Sequence, residues 1–262
     1  MSSAAARWRR ALKSGGYDAP PVTRLTGLRF AVLSRAWRRI LRHTGLGRTG
    51  AVRALEVGCA GGQQCIRLFA NGWHCVGLDL SPEVIGRARL YARRVKQVLA
   101  PRGSMRFVVG DFMTWRPPAR RFDLVFHVGV LEHFLDRRRR LAFLRRMFLM
   151  ARPGGWVMSM VPNGLHVMRA EQRRKGLGGY NVPEIDYSSR LVAREMEQCG
   201  AAHVEVLHHN VFGYLRIKPS RGLMKPARLA AYGLLQAFPW RVMPRAFLDR
   251  HAYWLIGLGR KA

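Results

Sequence analysis

Short apolar runs of strand length alternate with helix-length segments from Val52 onward, and this alternation constrains the fold more than any other property of the chain. The runs Val52–Val57, Trp73–Asp79, Met105–Val109, Phe122–His127, Trp156–Val161, His203–His208 and Tyr253–Leu258 read as strands. Helical signals fall between them at Gly62–Asn71, at Pro82–Leu99 with proline in its first turn, at about Asp136–Met150 and at Ser188–Cys199. Strands that are apolar along their whole length, separated by helices, indicate a mainly parallel sheet covered on both faces. The expected fold class is therefore α/β, a doubly wound, mainly parallel seven-stranded sheet with an N-terminal helix and an insertion before the last strand.

That N-terminal helix is expected over Leu28–His43, where Leu33, Ala36, Trp37, Ile40 and Leu41 share one face and Arg35, Arg38, Arg39 and Arg42 lie elsewhere. Packing against the following domain is favoured over lying on a membrane surface. The spacing divides the chain into a helical extension over 1–48 and one domain over 49–262. Two stretches break the alternation, 162–187 and 213–250, and insertions beyond strand ends of a doubly wound sheet are where substrate loops sit. Within the second, Leu229, Tyr232, Leu234, Leu235 and Phe238 give an apolar helix flanked by Lys225, Arg228, Arg241 and Arg245. It reads as a packing helix, a lid over an apolar substrate, or an attachment to an anionic membrane.

The net charge is +31, and only six lysines stand beside 40 arginines. Such an excess attracts phosphate-bearing partners, but the arginines are spread along the chain rather than gathered in a block, so composition alone explains them as well. The cysteines, Cys59, Cys65, Cys75 and Cys199, form no C-x-x-C pair and no His/Cys spacing suited to zinc, so no metal is expected and reduced cytoplasmic thiols are. No apolar run reaches the roughly 18 residues of a membrane span. The acid-free N-terminal stretch resembles a transit peptide, although the whole chain shares its arginine richness.

With only 15 acidic residues, their positions carry information. Glu56, Asp79 and Asp111 fall at or near strand C-terminal ends, and Glu132 follows the fourth strand; open α/β sheets bind ligands along that edge. Four carboxylates there suit a cofactor with positive charge better than one with phosphates. The glycines agree. A dinucleotide fingerprint starting at Gly58 needs glycine at 60 and glycine or alanine at 63, where this chain has Ala60 and Gln63. Gly58 and Gly62 leave room for a ligand, and no G-K-[S/T] follows to make a P-loop.

L-E-V-G-C-A-G-G at 55–62, G-L-D-L-S at 77–81, V-G-D-F at 109–112, F-D-L-V-F at 122–126, G-V-L-E-H at 129–133 and R-P-G-G at 152–155 together resemble the class I S-adenosylmethionine-dependent methyltransferases, in the small-molecule branch of the type 11/12 kind. The resemblance covers about 50–210, and Tyr253–Lys261 resembles the family's final strand. It implies S-adenosylmethionine as cofactor. Glu56, Gly58, Ala60 and Gly62 would border its methionine and ribose part, Asp79 would accept from the ribose hydroxyls with Leu80 beside the adenine, and Asp111 would meet the adenine amine with Phe112 alongside. His127 would face the reacting methyl. Ala60 departs from the family's usual glycine; its methyl is harmless at negative φ and strained at positive φ.

Methyl transfer is an in-line displacement, so the enzyme aligns the acceptor and excludes water; a base is needed only where the nucleophile loses a proton. His133 beside Glu132 is the first candidate base, His127 the second and His166 the third. F-D-L-V-F runs on into H-V-G-V rather than the Asn/Asp-Pro-Pro-aromatic tetrad that the resemblance associates with base-amine methylation. The expected acceptor is therefore a small, lipophilic or lipid-linked molecule at an O, N or C nucleophile, with peripheral contact to an anionic membrane as a further expectation. RNA methylation and a non-catalytic cofactor-binding homologue are the alternatives, and oligomeric state is left open.

Overall fold

The strands form where the apolar runs predict them. The computed structural model describes residues 30, 32–47, 51–117, 121–169, 173–175, 182–213, 215, 224–238 and 242–262. The strands are β1 (Arg53–Val57), β2 (His74–Asp79), β3 (Ser104–Val109), β4 (Phe122–Val128), β5 (Ala151–Pro162), β6 (Ala201–Val211) and β7 (Ala252–Lys261), in the order β3-β2-β1-β4-β5-β7-β6. All neighbours pair in parallel except β7, which runs antiparallel to both β5 and β6. The resemblance to a transit peptide falls on residues outside the described ones.

Three strands extend beyond their apolar runs. Arg152–Gly155, which reads as a turn, lies inside β5, where the pairing with β4 shifts register between Phe122 and Leu124. The β6–β7 hairpin adds polar ends because an antiparallel ladder carries its own hydrogen bonds beyond the covered part of the sheet.

Helices α1 (Arg35–Thr44), α2 (Gln63–Ala70) and α3 (Pro82–Leu99) cover one face of the sheet, and α4 (Arg137–Met150) and α5 (Ser189–Glu197) cover the other. Between them Ala54, Leu55, Leu124, Val125, Phe126 and Val157 are fully buried, as a two-sided sheet requires. Ser34 caps α1 by accepting from the Trp37 amide at 3.3 Å, and Gly45 at φ +69° ends it. The apolar face of α1 docks on the sheet: the Trp37 ring stands edge-on to Phe126 with centroids 5.3 Å apart, and its Nε1–H donates to Gln64 at 2.8 Å. The amphipathic pattern of the extension is thus absorbed by packing.

Several arginines fasten main chain. Arg140, within the run Arg137–Arg140, is buried against Glu195 at 3.0 Å and donates to the carbonyls of Phe134 and Leu135. Arg146 donates to the carbonyls of Phe112 and Trp115, Arg89 to that of Phe107 and Arg39 to that of His208. A guanidinium offers five donors in a planar fork, so one side chain satisfies two carbonyls of a loop that has no ladder partner.

Helices α6 (Met224–Ala237) and α7 (Arg245–His251) lie between β6 and β7 in sequence. Among the described residues, α6 is held where the Tyr232 hydroxyl donates to Asn210 at 2.5 Å and the Gln236 amide donates to the Val211 carbonyl at 2.7 Å. Leu234 on the same helix is 77% exposed.

Candidate cofactor and acceptor site

Backbone geometry at the end of β1 makes the first half of the site. Gly58 sits at φ +68°, and a Cβ there would stand 2.5 Å from the Val130 side chain. The amides of Gly58 and Cys59 both donate to the Leu78 carbonyl, at 2.8 and 3.0 Å, so the turn is hooked onto the neighbouring strand. Ala60 follows at φ +46°, in the left-handed region. Its amide donates to Asp79 Oδ2 at 2.9 Å, and the Ser81 amide donates to Oδ1 at 3.0 Å. The Asp79 carboxylate therefore joins the turn after β1 to the start of α3, and each of its oxygens keeps a lone pair for a further donor.

The angle at Ala60 answers the question its sequence raises. A methyl at positive φ costs about 1–2 kcal/mol, partly offset by the smaller entropy of the unfolded chain relative to glycine. Ala60→Gly is expected to raise stability by about 1 kcal/mol, read as a melting temperature about 2–4 °C higher. An unchanged or lower melting temperature would show that the loop carries no such strain.

Glu56 does not lie on the ligand edge. It is 3% exposed, beneath the turn, and accepts from the Cys65 amide at 3.1 Å in the first turn of α2. Burial pushes its pKa up to about 8, so at neutral pH it is mainly uncharged and neither repels nor attracts a ligand as the sequence led us to expect. The folded state thus holds this proton above the usual carboxylate range. Its contribution to stability is full at pH below about 4.5 and is lost as pH rises through about 8. Glu56→Gln is expected to match the wild type at pH 5 and to exceed its melting temperature increasingly towards pH 8; parallel pH curves for the two proteins would refute this.

The acidic rim is narrower than four residues. Asp111 is exposed beyond β3, its Oδ1 accepting from the Met113 amide at 2.8 Å, and Leu80 is 67% exposed next to Asp79. Phe112 departs from its expected position alongside a ligand: its ring is buried, 5.1 Å from Phe143, with the Arg146 guanidinium 5.6 Å from its face. Hydrophobic burial against α4 wins over exposure at the edge. Met113, next in the chain, is 38% exposed.

His127 is likewise turned away. It is fully buried, its Nε2 2.8 Å from Ser159 Oγ and its ring 5.7 Å from Phe143. Burial lowers its pKa to about 3, so it stays neutral in the core under α4, where alternation along β4 places it, and does not face a reacting group. His166 is buried as well, edge-on to Tyr253, and burial brings its pKa down to about 4.

His133 is the candidate the structure leaves at the edge. It closes the 3-10 turn Leu131–His133 just after β4, half-buried, with its pKa lowered chiefly by burial. Its Nδ1 lies 3.2 Å from the Pro183 carbonyl, which only accepts, so Nδ1 carries the proton and Nε2 carries the lone pair. That Nε2 is 4.0 Å from Glu132 Oε1. Glu132 is 2% exposed and its pKa is pushed up to about 8 by burial. The Ile185 amide donates to the Glu132 carbonyl at 2.9 Å, which brings Glu184 and its partner Arg169, 2.5 Å away, against the same turn. Val130, whose side chain packs over Gly58, places this polar group beside the turn after β1.

A model of a methyltransferase domain matches residues 20–205. The chain is similar to a ubiquinone biosynthesis O-methyltransferase of Mesorhizobium japonicum, 26% identical over 52% of this chain and 61% of that one. It is also similar to a sterol 24-C-methyltransferase of Gibberella zeae, 28% identical over 69% and 48% respectively. It thus spans roughly half to three-fifths of the lengths of these two relatives. Among solved structures, a SAM-dependent methyltransferase from Archaeoglobus fulgidus superposes with a TM-score of 0.56 at 13% identity, covering 90% of this chain and 98% of that one. A magnesium protoporphyrin IX methyltransferase from Synechocystis with bound SAH does so with a TM-score of 0.55 at 15% identity, covering 100% and 95%. The mixed sheet with its one antiparallel strand, the glycine turn hooked to Asp79 and the family match over most of the chain agree: this protein belongs to the methyltransferase-domain family of S-adenosylmethionine-dependent enzymes.

Proposed function

We propose that the chain transfers a methyl group from S-adenosylmethionine to an O, N or C nucleophile of a small, lipophilic or lipid-linked acceptor. The observation that carries this is the Asp79 clamp: a carboxylate held by the Ala60 and Ser81 amides, with lone pairs left for a ribose, beside a turn whose Gly58 has no room for a side chain. In this reading Gly58, Ala60 and Gly62 border the cofactor, Asp79 holds its ribose, and Asp111, Leu80 and Met113 hold its adenine. The cofactor supplies an electrophilic methyl on a sulfonium. The Ala60 amide still reaches Asp79, which favours an intact site over a decayed one.

The lipophilic acceptor is supported by α6, whose exposed Leu229, Leu234 and Phe238 follow the strand end of β6 at the ligand edge, and by the printed functions of the quinone and sterol relatives. The same exposed helix supports peripheral contact with an anionic membrane. At the acceptor end, His133 is the candidate to take a proton where the nucleophile must lose one.

Calorimetric titration with S-adenosylmethionine tests the cofactor, and a radiolabelled methyl-transfer screen of cell extract, sorted into lipid, RNA, protein and small-molecule fractions, tests the acceptor. Label in the lipid or small-molecule fraction is expected. The +31 charge favours RNA as the second reading; label in RNA, with affinity falling steeply as salt rises, would establish it instead. Cofactor binding with no labelled product in any fraction would favour a non-catalytic homologue.

A further inference from the structure

We propose that the edge of the sheet opposite the cofactor turn carries a binding site for the phosphate group of a small ligand. Strands β1, β4 and β5 run parallel, and their starts frame a cavity of about 480 Å³ together with the last turn of α1 and the end of β7. Arg42, Arg152 and Arg260 line it, and Asp123 is its one carboxylate. Asp79 and the glycine turn lie at the other ends of the strands, so this cavity has no part in the cofactor site.

Three observations point to an anion. The first is convergence. Arg152 Nη1 and Arg260 Nη2 stand 3.7 and 3.9 Å from the point where a Cβ on Gly154 would lie, and the bare glycine, at φ +68°, leaves that point open. Two guanidinium groups brought this close repel each other unless a negative charge is shared between them. The second is that the carboxylate is already engaged. Asp123 accepts from Arg152 Nε at 2.5 Å through one oxygen and from the Arg53 amide at 2.8 Å through the other. It therefore balances Arg152 and neither of the other two.

The third is that the remaining donors are unused. Arg146, Arg89 and Arg39 direct theirs at carbonyls, whereas the Arg42 and Arg260 side chains make no hydrogen bond or ion pair among the described residues. Arg42 also suits the last turn of α1, whose carbonyls favour a cation; Arg260, near the end of β7, has no such neighbour. His43, on the same lining, is taken by Glu205 at 2.7 Å. The lining thus holds two positive charges beyond Asp123, which the dianion of a phosphate monoester balances. Planar guanidinium forks match phosphate oxygens two at a time. The half-buried Trp156, opposite Arg260 in the β5–β7 ladder, supplies an apolar wall, and a cleft of one sign with such a wall concentrates the field on its occupant.

This site does not depend on the methyl-transfer reading, since the two edges are separate. The purified full chain is titrated calorimetrically with inorganic pyrophosphate at fixed ionic strength, and with S-adenosylmethionine and a short single-stranded RNA in parallel. One equivalent of pyrophosphate is expected to bind, roughly tenfold or more weaker in Arg260→Gln and in Arg42→Gln, with S-adenosylmethionine binding unchanged in both. Arg138→Gln removes the same charge from an exposed position on α4 and is expected to stay within about twofold of wild type. All three arginines are exposed, so the variants fold, and their melting temperatures check this. No saturable pyrophosphate binding, equal weakening by Arg138→Gln, or competition between pyrophosphate and S-adenosylmethionine would overturn the site. RNA binding that is lost in Arg260→Gln, with no binding of pyrophosphate, would overturn the small ligand and give the cavity to nucleic acid.

Discussion

Asp79→Ala is expected to weaken S-adenosylmethionine binding by about 100-fold or more while leaving the protein folded. The carboxylate holds the Ala60 and Ser81 amides at 2.9 and 3.0 Å and, in the proposed complex, two ribose hydroxyls. Hydrogen bonds to a charged group contribute about 1.5–3 kcal/mol each, so losing two to the ligand gives at least two orders of magnitude in affinity. Loosening the turn after β1 adds to this. Asp79→Asn keeps one acceptor oxygen and is expected to fall between the two. Calorimetric titration reads all three proteins, and an affinity within threefold of wild type for Asp79→Ala would remove Asp79 from the site.

Gly58→Ala carries the second large effect, this time on stability. A Cβ at φ +68° costs about 1–2 kcal/mol, and its approach to within 2.5 Å of Val130 adds an overpacking cost of about 1–3 kcal/mol. The sum, about 2–5 kcal/mol, lowers the melting temperature by roughly 4–20 °C. The two costs separate in a double mutant. Val130→Ala opens the space without touching the backbone, so Gly58→Ala/Val130→Ala is expected to recover the packing part and keep the conformational part. Additive losses in the double mutant would show that the two residues do not meet.

The alternation of apolar runs revealed the sheet because a strand buried on both faces leaves no polar positions, and that signature survives in one sequence. It carried no information on strand direction or neighbours. Residues 252–261 read equally well as an edge strand, yet β7 inserts antiparallel between β5 and β6. Helix α7 was hidden in a segment without clear periodicity, since only Leu248 of its residues is buried.

The site was legible to the level of residue type at the sheet edge and no further. Position alone placed Glu56 and Asp79 together, but one is sealed beneath the turn and the other faces it, a difference set by packing. The family resemblance implied Phe112 and His127 at the edge, and both belong to the core under α4. Glu184 could not be associated with Glu132 and His133 from spacing, since tertiary contacts about 50 residues apart in sequence, between Pro183 and His133 and between Ile185 and Glu132, bring it there. At Ala60 the sequence identified the residue to inspect, and the backbone angle supplied the answer.

Fastening loops with guanidinium groups has a consequence for the protein as a charged object. When Arg146, Arg89 or Arg39 donates to a carbonyl, the bond satisfies geometry but cancels no charge, since the partner is a neutral dipole. Each loop secured this way adds to the protein's own electric field, and with 15 acidic residues the chain has few means of offsetting it. Folding therefore works against mutual repulsion that rises with every such fastening. Added salt, by screening it, should firm up this fold.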